Sequence, residues 1–151
     1  MAIGSHIIVQ NESGNFLMVY NHMSSHPMFS GRILSEYYSD HEAALDLVKQ
    51  GNIECLGHST TPIPDDKIND SIYTNGIKHC KFYIRDCGKS IATNMPKEFS
   101  NLENAIEFIN KKDLHQYTYV FKDDKWFFRK WKHRLEEMTK IRIFHDDEED
   151  G

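Results

Sequence analysis

Tyr117-Thr118-Tyr119-Val120-Phe121-Lys122-Asp123-Asp124-Lys125-Trp126-Phe127-Phe128-Arg129 is the stretch that decides the fold. Two runs rich in aromatic and β-branched residues flank four polar ones, which predicts a hairpin with Asp123 and Asp124 at its tip. Alternate aromatics of such a hairpin face a core while its lysines stay in water. Upstream, residues 100–112 predict a helix. Ser100 and Glu103 have capping-box spacing, and Leu102, Ala105, Ile106 and Ile109 recur on one face.

Further toward the N-terminus, residues 81–85 predict a strand. A second hairpin is expected where Ile7-Ile8-Val9 and Phe16-Leu17-Met18-Val19-Tyr20 flank the turn formers of residues 11–15. Residues 30–38 predict a short helix capped by Ser30, with Ile33, Leu34, Tyr37 and Tyr38 on one face. The next helix opens at Ser39 with a Glu42 capping box, buries Ala44, Leu47 and Val48, and ends at a left-handed Gly51. A last short helix through Leu135 and Met138 is expected after Lys130. The order does not alternate strand with helix. It therefore predicts an α+β fold, a mainly antiparallel sheet with two hairpins covered by about three helices.

At 151 residues the chain is the size of one domain with one core. Residues 1–144 are expected to form it, with a long connection over 57–78 and a disordered acidic tail over 145–151. Hydrophobic residues make up 39% and aromatics 12%, which excludes an intrinsically disordered chain. The net charge of -5 comes largely from residues 146–150, so the body is close to neutral and lacks the broad basic footprint of a nucleic-acid binder. Cys55, Cys80 and Cys87 form neither a disulfide framework nor a zinc-ribbon pattern, which points to a reducing compartment. No signal-peptide pattern opens the chain, and no run reaches the roughly 20 apolar residues that span a bilayer.

Four blocks carry a family resemblance. They are Val19-Tyr20-Asn21-His22 with Pro27, Gly31, Leu34 and Tyr38; Gly51-Asn52-Ile53-Glu54-Cys55-Leu56-Gly57; Tyr83-Ile84-Arg85-Asp86-Cys87-Gly88; and the closing aromatic hairpin. In this order they resemble a family of small proteins encoded by bacteriophages and prophages. Two departures stand out. The family's Trp-Asp-Gly after the histidine is Met23-Ser24-Ser25 here, and its Arg-Gly-Glu is Cys87-Gly88-Lys89. The resemblance implies an accessory protein working in the cytoplasm of an infected bacterial host, and it brings no mechanism with it.

Candidate site residues follow from these blocks. Residues 21–29 and the segment ending at Arg85 and Asp86 are expected to meet at one end of the sheet, because His22, Arg85 and Asp86 need polar partners beside apolar strands. Tyr20, Tyr38 and Tyr83 would floor that site, a build suited to a flat or phosphorylated group. Arg85 and Asp86 also suit a structural pair that fixes a sheet end. A rival reading takes His22-Met23-Ser24 and His58-Ser59-Thr60 as paired His-x-(Ser/Thr) motifs. There His22 and His58 would exchange protons and Thr60 would bind phosphate, as in phosphodiesterases and ribonucleases. Trp126, Arg129, Lys130 and Lys132 interleave rings and charge as single-stranded nucleic-acid binders do, although core packing explains them more simply. The spacing of His22, His26, His58, His79, Cys80 and Cys87 is too irregular to assign a metal, and no cofactor is expected.

The leading reading is a phage accessory protein that binds and inhibits a bacterial host or defence protein, or that holds a nucleotide. It is a binding role rather than an enzymatic one. The phosphodiesterase-like enzyme using His22 and His58 is the alternative.

Overall fold

The structure, a computed structural model, describes residues 4–23, 25–67, 78–112, 116–130 and 133–138. Its strands are β1 (Ser5–Gln10), β2 (Phe16–Met23), β3 (Ile53–Cys55), β4 (Lys81–Phe82), β5 (Lys97–Phe99), β6 (Tyr117–Lys122), β7 (Lys125–Lys130) and β8 (Glu136–Glu137). They form one eight-stranded sheet in the order β4-β3-β2-β1-β6-β7-β8, with β5 also paired to β2. Both hairpins are present. Asp123 and Asp124 lie at φ 53° and 61°, the left-handed pair that a two-residue I′ turn requires to match strand twist.

The sheet is mixed and mostly antiparallel. β1 runs parallel to β6, and β2 runs parallel to β3. A parallel neighbour needs a crossover, and helices supply both. α1 (Arg32–Tyr37) and α2 (His41–Lys49) lie between β2 and β3 in the chain, and α5 (Leu102–Asn110) precedes β6. α3 (Tyr83–Cys87) and α4 (Ile91–Asn94) are single turns, making five helices among the described residues.

The core has two layers. Ile7, Val9, Leu17, Val19, Tyr119 and Phe121 pack with Leu34, Leu47 and Val48 of α1 and α2 on the first face. Ile8, Phe16, Met18 and Val120 pack with Ala105 and Ile109 of α5 on the second. With helices on both faces, β1, β2 and β6 are buried on both, which is why their apolar runs are nearly continuous instead of alternating.

Several local expectations need correction. The caps of α2 and α5 fall one residue later than expected: Asp40 Oδ1 accepts the Ala43 N–H at 2.8 Å, and Asn101 Oδ1 accepts the Asn104 N–H at 2.8 Å. Asp and Asn cap as well as Ser and sit closer to the helical run, so the capping boxes do not form. Ser30 does not cap α1. It lies in a π-helical turn, Pro27–Gly31, where His26 accepts the Met28 N–H instead. The strand expected over 81–85 stops at Phe82, because Asp86 Oδ2 accepts the Phe82 N–H at 2.8 Å and folds the chain into α3. Residues 136–137 form a strand and not a helix, paired with Phe127 and Phe128 of β7. Gly51 is left-handed as expected, at φ 92°. The connection over 57–78 is described through Lys67, with a 3-10 turn at Asp65–Lys67. Residues 68–77 and the acidic tail over 145–151 lie outside the described residues.

Candidate functional site

The outer edge of β2 is shared by two strands that do not meet. Phe16 to Met18 pair with β5, and Asn21 and Met23 pair with β3, which leaves Val19 and Tyr20 in a gap. A backbone N–H left in such a gap needs a partner. Asn52 provides it: its Oδ1 accepts the Tyr20 N–H at 2.9 Å, and its own N–H donates to the Asn94 carbonyl at 2.8 Å. Gly51, immediately before, has no room for a side chain, since a Cβ would overlap the Asn94 carbonyl oxygen. The split is therefore held open by a backbone-to-side-chain plug that ties β3 to α4.

A cavity of about 300 Å³ opens at this split on the second face. His6, Met18 and Tyr20 wall it from β1 and β2, and Asn52 closes one end. Thr93 and Met95 form a rim, with Met95 largely exposed. Lys97 of β5 and Lys112, just past α5, complete it. Both ammonium groups lie over the Phe108 ring, Nζ being 5.6 Å from its centroid for Lys97 and 4.7 Å for Lys112. Burial, and then the charge of Lys97, push the Lys112 pKa down. No carboxylate lines the cavity among the described residues.

His6 is only 3% exposed, and its Nδ1 has no hydrogen-bond partner among the described residues. Burial, reinforced by the Lys112 charge, pushes its pKa down to about 4, so the ring is neutral at pH 7. It stands opposite Tyr20 on one side and Thr118 on the other, and Thr118 stands opposite Arg129. Side chains directly opposite share a face, so Tyr20, His6, Thr118 and Arg129 form a polar row across four strands. Thr118 Oγ1 and Arg129 Nε also lack partners among the described residues, although Arg129 Nη2 donates to Asn110 Oδ1 at the end of α5. Buried polar atoms are nearly always bonded, yet three in this row have no partner among the described residues, and of their side chains His6 lines the cavity.

The residues singled out from the sequence are distributed among several places. Tyr20 and His22 lie together on the second face, with Tyr20 Oη 3.1 Å from His22 Nδ1. Tyr83 shares that neighbourhood: burial raises its pKa, followed by the charges of Glu54 and Tyr20. Tyr38 does not. It is buried on the first face, where its hydroxyl donates to the Gly57 carbonyl at 2.7 Å and its carbonyl accepts from Trp126 Nε1 at 2.8 Å. The sheet stands between Tyr38 and Tyr20, so a floor of three tyrosines is not formed. Alternation along β2 puts Tyr20 on the second face, and the packing of α1 puts Tyr38 on the first.

Arg85 and Asp86 make a tight pair, Nε–Oδ1 and Nη2–Oδ2 both at 3.0 Å, and Arg85 Nη1 also donates to the Thr60 carbonyl. The guanidinium sits 4.9 Å over the Phe82 ring. These bonds pin residue 60 to the end of β4. His58 stacks on Tyr37 of α1 with centroids 4.0 Å apart, and Thr60 Oγ1 donates to Asp46 Oδ2 of α2. His58 and Thr60 thus engage the first-face helices, whereas His22 projects from the second face.

Trp126 is buried in the first-face core and Arg129 on the second face, so the two do not share an exposed stripe. Lys130 ends β7, and Lys132 lies outside the described residues. No thiol is activated: burial raises all three cysteines, and Cys87, which also donates to Glu54, is pushed up to about 11. Among the described residues no group of three or more His, Cys, Asp or Glu converges as metal ligands.

His6, Asn52, Lys97 and Lys112 did not stand out in the sequence. One signal was present for His6, a histidine beside the unbroken run Ile7-Ile8-Val9. A strand apolar on both faces is covered on both, and a polar residue within it needs a partner. Comparison of the chain with protein families, with curated proteins and with solved structures finds no match.

Proposed function

We propose that the protein is a binding module for a small anion of nucleotide type, held in the cavity at the split edge of β2. Joined to the phage-type resemblance of its sequence blocks, it would act as an accessory protein that occupies such a ligand in the host cytoplasm. The carrying observation is a cavity lined by two exposed lysines and a neutral buried histidine, with no acidic lining among the described residues. Lysines this close repel each other, and an anion between them relieves that repulsion. Met18 and the Tyr20 ring offer an apolar wall for a flat group. Ligand cavities run from roughly 300 to 1,000 Å³, which puts this one at mononucleotide size and too small for a dinucleotide.

Titration calorimetry against a panel of mononucleotides tests the proposal. Micromolar to millimolar binding is expected, weakened about tenfold or more by Lys97→Gln or Lys112→Gln and reduced by salt. Binding that ignores both substitutions would place the ligand elsewhere.

A further inference from the structure

We infer that the cavity recognises the dianionic terminal phosphate of a monoester, in preference to a phosphodiester or a carboxylate, through Lys97, Lys112 and His6. This rests on the anion-binding reading above and narrows it to one ligand chemistry.

Lys97 and Lys112 converge over one ring and sense each other electrostatically, and Lys112 also acts on His6. The site therefore presents two positive charges beside a neutral imidazole. A monoanion balances only one of the two ammonium charges. A monoester phosphate carries nearly two negative charges at pH 7 and three terminal oxygens, which matches two ammonium groups and one imidazole N–H. A diester offers only two terminal oxygens and one charge.

Geometry supports the same choice. His6 is fixed on a central strand and Lys97 on the strand that flanks the gap, while Lys112 follows the helix that covers both. The three side chains come from separate elements and line one cavity. The titratable groups facing His6 are Tyr20, Lys97 and Lys112, with His22 bonded to Tyr20 behind them.

The test compares adenosine 5′-monophosphate with adenosine 3′,5′-cyclic monophosphate by calorimetry from pH 7.5 to pH 5. At pH 7.5 the monoester should bind at least tenfold more tightly. Its second ionisation lies near pH 6, so its affinity relative to the diester should fall about tenfold between pH 7 and pH 5. The diester keeps one charge throughout, and its pH series reports the protein's own groups. Lys112→Gln, at an exposed position, should erase most of the preference. His6→Gln should weaken the monoester selectively with an unchanged circular-dichroism spectrum. Ribose 5-phosphate separates the phosphate from the base: equal affinity supports the phosphate inference and removes the base from the proposed function. A diester that binds as tightly as the monoester at pH 7.5 overturns the inference while leaving anion binding intact. No binding of either, in the wild type and both variants, overturns both.

Discussion

Replacing His6 by glutamine should flatten the acid limb of the protein's stability. The imidazole has an ordinary pKa of 6.5, and burial followed by the Lys112 charge lowers it to about 4 in the fold. Between those values the unfolded chain binds a proton that the folded chain refuses. Stability rises with pH wherever the unfolded state holds more protons, so it is lost as pH falls below 6.5 and the loss levels off near 4. At 1.36 kcal/mol per pH unit, the linkage removes about 2 kcal/mol by pH 5 and about 3 kcal/mol when complete. Glutamine keeps a polar amide of similar reach without titrating. Urea denaturation followed by tryptophan fluorescence at pH 7.5 and pH 5, in buffers free of phosphate, measures the difference. Wild type should lose about 2 kcal/mol more than His6→Gln across that interval. Parallel losses would show that His6 is protonated in the fold, and the burial argument would fail.

Gly51→Ala should lower stability by more than about 2 kcal/mol in thermal or urea denaturation, because the new Cβ meets the Asn94 carbonyl at a left-handed φ of 92°. Asp124→Gly should raise stability by about 0.5 kcal/mol, since φ 61° at the second turn position suits glycine; a loss would mean that the aspartate side chain holds the turn. Arg85→Ala should speed amide exchange locally around residues 57–61 while changing global stability by less than about 1 kcal/mol, because the pair with Asp86 is partly solvated. Global unfolding of that variant would make the pair a keystone of the sheet rather than a loop fastener.

Legibility of the site was uneven. Tyr20 and His22 do lie beside the cavity neighbourhood, and Arg85 with Asp86 does fix a loop to a strand end. Tyr38 looked equivalent to Tyr20 because both are tyrosines in neighbouring blocks. Only the packing of α1 and α2 onto the first face sends Tyr38 toward Gly57 and away from the cavity.

Signals that act within four residues of themselves determined much of the architecture from the amino-acid sequence alone. Asp123-Asp124 and residues 11–15 dictate where two hairpins turn, Gly51 stops a helix, and helical periodicity places α2 and α5 to within a residue or two. The cavity depends on pairings that have no such local origin. Ile53-Glu54-Cys55 and Lys97-Glu98-Phe99 are three-residue segments with little preference of their own, and each becomes a strand because β2 offers it a free edge. The gap between them, the plug by Asn52, and the meeting of His6, Lys97 and Lys112 across residues far apart in the chain exist only after that edge is filled. Tertiary structure decides them because hydrogen-bonding groups and buried charges are satisfied, or left wanting, by partners that the local sequence does not contain.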